Sequence, residues 1–231
     1  MKTWTTKSGY KITKLLSFRG NAYLIATGTH NILVDTGSKS SYNNLLRSFT
    51  QLYCAKIDIL IITHAHYDHC DNSSKIKNQE GCKVIMSKYE SEFAQKGYGP
   101  LPKATLFVTR PVAYLGKQLE RKVAPFTPFP VDILVDEYLT LNDIGLNIEI
   151  IHTPGHSQGS ISVIVDREIA IVGDAMFGVF PGSIFPPFAN DVPLMRKSWK
   201  KLLDTGCVLF LPGHGRKIKR ELLEAKLNKE R

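Results

Sequence analysis

Short apolar runs rich in β-branched residues alternate along this chain with stretches of helical period. Runs at residues 21–27, 31–35, 57–63, 83–87, 146–152, 160–165 and 168–173 read as strands, and a short one at 207–211 leads into Pro212. Helical spacing falls at 40–52, 88–96, 192–204 and 217–229. The third of these has the clearest ends, with Asp191 as N-cap, Pro193 just inside and Gly206 just beyond. Strands dominate each half, with helices between and after them. That pattern predicts two sheets packed face to face and covered by helices on the outside. No linker, repeat or low-complexity block interrupts the chain, so residues 1–231 read as one domain. Residues 97–130 are the least regular part, with prolines at 100, 102, 111, 125, 128 and 130. A long irregular segment inside a compact domain is expected to be a lid or pocket insertion.

A chain of 231 residues buries enough surface for a full core without disulfide staples. The four cysteines, at 54, 70, 82 and 207, form no close pair and read as free thiols in a reducing compartment. The first twenty residues lack the apolar core of a secretion signal, and no run reaches the roughly 20 apolar residues of a membrane span. A cytoplasmic protein without membrane attachment is expected. The formal charge of +9 suits nucleic acid, small anionic substrates or merely a basic surface, and decides nothing alone.

Chemistry concentrates at residues 61–72, IITHAHYDHCDN. His64, His66, Asp68 and His69 form H-x-H-x-D-H directly after an apolar strand. Imidazole and carboxylate are the donors that a borderline ion such as zinc accepts. Three further polar residues stand at strand ends beside glycine or proline: His156 in HTPGH, Asp174 in IVGD and His214 in PGHG. Such positions bring ligands from distant parts of a chain to one edge of a sheet. Asp35, in VDTG, occupies a similar place.

In this order, Asp35, the motif at 64–69, His156, Asp174 and His214, the sequence resembles the metallo-β-lactamase superfamily. The resemblance implies an α/β fold, a four-layer αββα sandwich of two mixed sheets with helices outside. It also implies two divalent ions, zinc first, with iron or manganese as alternatives. His64, His66 and His156 would bind one ion, Asp68, His69 and His214 the other, and Asp174 would bridge them. Asp68 is taken as a catalytic carboxylate as well as a ligand, and Asp35 as the carboxylate behind the ligands that orients them. Two ions about 3.5–4 Å apart hold a hydroxide between them at neutral pH. His152 is expected to be a buried, hydrogen-bonded neighbour of the ligand turn, His30 to have no role, and Cys70 to be an incidental small residue.

Departures from individual members narrow the chemistry. β-Lactamases of the superfamily lack the bridging aspartate, and its quorum-quenching lactonases carry tyrosine where Phe177 stands. The metal set matches glyoxalase II, but residue 231 comes too soon after His214 for that enzyme's helical glutathione-binding domain. The chain therefore resembles the short, glyoxalase II-like hydrolases, and a small-molecule thioester, ester or lactone is the expected substrate. The second reading is a phosphodiesterase or RNA-processing nuclease of the same fold, favoured by the charge but lacking a long RNA-gripping arm. A mono-iron persulfide dioxygenase is a third, and it would leave His69 and His214 without their ion. Residues 177–188, FGVFPGSIFPPF, read as a rigid apolar pocket wall. Arg216 and Lys217, placed in the first turn of a last helix, read as a rim that recruits an anionic substrate.

Overall fold

The computed structural model describes residues 1–17, 19–105, 111 and 125–228. The described chain forms two compact units, Met1–Gly99 with Ala124–Val135, and Pro100–Val123 with Asp136–Arg231. The undescribed stretch at 106–110 and 112–124 holds most of the expected lid, which thus lies outside the described residues.

The first unit is a seven-stranded mixed sheet in sequence order. Strands β1 (Lys2–Thr5), β2 (Lys11–Ser17), β3 (Asn21–Ala26) and β4 (Asn31–Val34) form an antiparallel meander. Strands β5 (Ile59–Ile62), β6 (Lys83–Ser87) and β7 (Ile133–Val135) continue it in parallel from β4. Parallel neighbours need crossovers, and helices supply them. Helix α1 (Tyr42–Gln51) joins β4 to β5; α2 (Tyr67–Cys70) and α3 (Ser73–Glu80) join β5 to β6; α4 (Ser91–Lys96) follows β6. The inward stripe of α1, Leu45, Ser48 and Phe49, is buried. Leu45 and Phe49 pack in one cluster with Leu15, Leu33, Leu60 and Val84. At β5, ILII is buried on both faces, as a central parallel strand requires.

The second unit is a six-stranded mixed sheet, ordered β13-β12-β11-β10-β9-β8. Its strands are β8 (Tyr138–Thr140), β9 (Ile148–His152), β10 (Ile161–Val165), β11 (Ile169–Gly178), β12 (Leu209–Gly215) and β13 (Ile218–Lys219). Among its described strands only β11 and β12 run parallel, joined by α5 (Val192–Asp204). That helix begins and ends where the sequence places it: the Asp191 carboxylate accepts from Leu194 N at 2.8 Å. Its buried stripe is Met195, Ser198, Trp199 and Leu202, and the three apolar members belong to one core with Ala175, Met176 and Phe210. Helix α6 (Arg220–Asn228) closes the described chain.

Several boundaries differ from expectation, and three of them bear on the candidate site. The last helix begins at Arg220, because Ile218 and Lys219 first pair with β12. Arg216 and Lys217 are therefore not in a helical turn; both are exposed just before β13. Asp174 and His214 lie inside β11 and β12 rather than after them, since the ladder resumes beyond an irregularity between Ile171 and Phe177. Among the described residues no helix is long and apolar enough to cross a membrane.

Candidate metal centre

In the first unit, β4 and β5 run parallel, so their C-terminal ends lie side by side, where open α/β sheets place their ligands. Asp35 follows β4 with φ of 60°, a left-handed conformation that aspartate tolerates better than most residues. Its N–H donates to Ile61 O at 2.9 Å, locking it to β5. Thr63, His64, Ala65 and His66 follow β5 and lead into α2, which carries Asp68 and His69. His64 and His69 are fully buried, His66 is 9% exposed and Asp68 is half-buried. The His64 ring centroid lies 4.4 Å from that of His66 and 4.3 Å from that of His69.

The hydrogen bonds behind these rings fix their protons. The Asp35 carboxylate accepts from Thr63 N at 2.8 Å, Thr63 Oγ1 at 2.8 Å and His69 Nδ1 at 2.8 Å. A threonine hydroxyl has one proton, and here it goes to a carboxylate. Thr63 Oγ1 must then accept from His64 Nδ1, 3.0 Å away. Both His64 and His69 carry hydrogen on Nδ1, which leaves Nε2 as the nitrogen with the lone pair. One buried carboxylate sets two imidazole tautomers. The loop holding Asp35 is tied in turn to α2 and to the residue that precedes α3: Thr36 N donates to His69 O at 2.7 Å, and Asn72 Nδ2 donates to Thr36 O at 3.0 Å and Ser38 O at 2.9 Å.

In the second unit, His156 sits in the turn after β9. Its Nδ1 donates to Phe188 O at 2.9 Å, so this ring too has its lone pair on Nε2. The turn is pressed against the start of α5: Asp191 N donates to Gly155 O at 2.9 Å. A Cβ on Gly155 would lie 2.3 Å from Met195 N, and its φ of +133° disfavours any other residue. Asp174, 6% exposed, places Oδ2 3.7 Å from His156 Nε2 and 3.4 Å from His214 Nε2. The His214 ring packs on Phe177 at 4.7 Å.

Each unit thus assembles part of the expected set: His64, His66, Asp68 and His69 with Asp35 behind them, and His156, Asp174 and His214. Buried imidazoles with Nε2 as acceptor, gathered with carboxylates, are a donor set that fits a borderline divalent ion. His152 behaves as expected. Its Nδ1 meets Glu137 Oε1 at 3.0 Å and its Nε2 meets Gln158 O at 2.8 Å, so neither nitrogen is offered to a metal. Burial pushes the Cys70 thiol well above its ordinary range, which keeps it neutral and unreactive. Burial, then the Asp68 charge, raises the Tyr67 hydroxyl. Of the apolar segment 177–188, Phe185 packs edge-on against Trp199 in the core, while Val179 and Phe180 are exposed. Sequence reasoning missed Glu90, a buried carboxylate that accepts from Ala65 N. Only tertiary structure reveals it, because Glu90 stands in a polar stretch, KYESE, with no pattern to distinguish it.

Histidine- and aspartate-rich clusters carried on mixed α/β sheets define a class, and comparison with known proteins names it. Residues 17–214 match the model of the metallo-beta-lactamase superfamily, and the chain belongs to that family. A probable metallo-hydrolase of Methanocaldococcus jannaschii is 31% identical over 202 residues, covering 86% of this chain and 88% of that protein. The hydroxyacylglutathione hydrolase GloC of Haemophilus influenzae is 26% identical over 212 residues, 89% and 90% of the two chains. Among solved structures, a protein in a di-iron-bound form superposes with a TM-score of 0.65 over 94% of this chain and 97% of its own, at 24% identity. The fold is that of the superfamily.

Proposed function

We propose that the protein is a dinuclear metal-dependent hydrolase of a small-molecule thioester, ester or lactone. In this reading His64, His66 and His156 hold one ion, Asp68, His69 and His214 the other, and Asp174 serves both. The observation that carries it is the uniform tautomer: Nδ1 of His64, His69 and His156 each donates to an oxygen, which reserves Nε2 for a cation. Bound ions supply an activated water and polarise the carbonyl under attack. The chain's own part is to hold the donors, through Asp35, Thr63 and the Phe188 carbonyl, and to receive the acyl group. Phe177, beside His214, and the exposed Val179 and Phe180 offer it apolar contact. Arg216 and Lys217, exposed two and three residues after His214, favour a substrate with a carboxylate or phosphate. Likeness to a hydroxyacylglutathione hydrolase supports a thioester, and the di-iron-bound neighbour supports two ions, of which we take zinc as the first choice.

The test is a hydrolysis screen of zinc-loaded protein on thioesters, lactones, carboxyl esters and phosphodiesters. The expected result is turnover of a thioester or ester that His156→Ala abolishes. Turnover of phosphodiesters alone would replace this reading with the nuclease one.

A further inference from the structure

The loop that carries His64 and His66 is gripped at the residue between them. Ala65 is 1% exposed, and its N–H donates a short hydrogen bond to Oε2 of Glu90. Glu90 is itself 2% exposed, although glutamate is among the side chains least often buried. Its backbone is fixed on both sides. The N–H donates to Ser87 O at the end of β6 at 3.2 Å, and the carbonyl accepts from Phe93 N at 3.0 Å and Ala94 N at 3.2 Å in α4. The carboxylate therefore projects from a rigid corner.

The opposite edge of the same residue is closed by Gly99. A Cβ built on Gly99 would lie 1.8 Å from the Ala65 carbonyl oxygen, so only glycine lets the two backbones approach this closely. Gly99 is carried by the same corner, since Gly97 N donates to Phe93 O at 2.9 Å directly after α4. One segment, 87–99, thus accepts the Ala65 N–H and packs its backbone against the Ala65 carbonyl.

Rotation of the Ala65 backbone would swing His64 and His66 in different directions, so its orientation sets how the two rings converge. A carboxylate acceptor makes a charge-assisted bond about twice as strong as a neutral one. We propose that Glu90, backed by Gly99, is a positioning residue that fixes the separation and aim of His64 and His66 toward a shared ion. The proposal rests on the metal-binding reading above. It adds a residue that touches neither ion nor substrate and acts on one of the two metal positions.

The experiment measures zinc affinity of the full chain against a chromophoric chelator, resolving the two ions, for the wild type, Glu90→Ala, Glu90→Gln and Gly99→Ala. Melting of each metal-free protein is followed alongside. Glu90→Ala should weaken one ion by about 10–100-fold, the usual cost of losing a group that orients a ligand, and spare the other. Glu90→Gln should fall nearer the wild type, because its amide oxygen can still accept from Ala65. Gly99→Ala should repeat the Glu90→Ala pattern, and it carries the comparison should Glu90→Ala fail to fold. Tight wild-type binding left unchanged by Glu90→Ala and Gly99→Ala would overturn this proposal alone. Equal weakening of both ions, in step with metal-free melting, would overturn it in favour of general support of the fold. A wild type that binds no zinc would remove the metal reading itself, and this proposal with it.

Discussion

Replacing Asp35 by asparagine changes almost no volume but reverses the proton order behind two ligands. The carboxylate accepts three hydrogen bonds, from Thr63 N, Thr63 Oγ1 and His69 Nδ1. Asparagine can accept from Thr63 N with its oxygen, but its NH2 then faces the threonine hydroxyl and His69 Nδ1. The hydroxyl must turn to accept, sending its own proton to His64 Nδ1, 3.0 Å away. His69 Nδ1 must likewise become an acceptor. Both rings then carry hydrogen on Nε2, where the lone pair is needed. Every polar group can still be paired, so the metal-free fold should lose only about 1–2 kcal/mol, the difference between charged and neutral hydrogen bonds. Metal binding should suffer more: about 10–100-fold for each ion, because His64 and His69 are assigned to different ions. That is about 1.4–2.7 kcal/mol per ion. The assay is a zinc competition titration paired with melting of the metal-free protein. Asp35→Ala serves as contrast, because three buried donors without an acceptor, at about 1–3 kcal/mol each, should cost the fold itself. Wild-type affinity for both ions in a folded Asp35→Asn would refute the tautomer assignment.

Further outcomes follow from the same contacts. His152→Ala should keep its full metal content by elemental analysis, because both of its ring nitrogens are engaged by Glu137 and Gln158. Gly155→Ala should lower stability by more than about 1 kcal/mol in urea unfolding, since the new Cβ meets the Met195 backbone, and loss of hydrolytic activity should accompany it. Burial holds the Cys207 thiol up at about 11, against an ordinary 9.0. Its neutral form therefore favours the fold in full below pH 9, and that contribution is lost as pH rises toward 11. Melting temperature should fall across this window, and Cys207→Ala should flatten part of the slope; an unchanged slope would count against it. Alkylation at pH 8, read by mass spectrometry, should label Cys54 first, because Cys70, Cys82 and Cys207 are buried.

Elements with a strong apolar signal were legible in the chain itself. The helix Val192–Asp204 was found to the residue, because its cap, its proline and its buried stripe all agree. Strands β5 and β6 were found because central parallel strands are continuous apolar runs. The edge strand β1, KTWT, was missed because lysine and threonines make up most of it, the composition that protects a sheet edge. Its neighbour β2, KITKLLS, was missed because Lys11, Thr13 and Lys14 break its apolar run. Helix α3, SSKIKNQE, was missed because it buries only Ser73 and Ile76 and shows no apolar stripe. The last helix was started too early, since nothing in Arg216–Lys217–Ile218–Lys219 announces that the ladder to β12 comes first. The candidate ligands stood out because a histidine or aspartate that follows an apolar run beside glycine, proline or another histidine is an uncommon pattern. What holds the ligands was legible only for Asp35. Thr63, Asn72, the Phe188 carbonyl and Glu90 act through contacts that local sequence does not mark.

The central claim is a pair of ions on seven side chains from both ends of the chain. Elemental analysis of protein purified without chelator and then supplied with zinc tests it most directly. Two metals per chain are expected, with fewer in Asp174→Ala and His156→Ala and no change in His152→Ala. A firm value of one metal per chain, insensitive to added zinc, would contradict the dinuclear site.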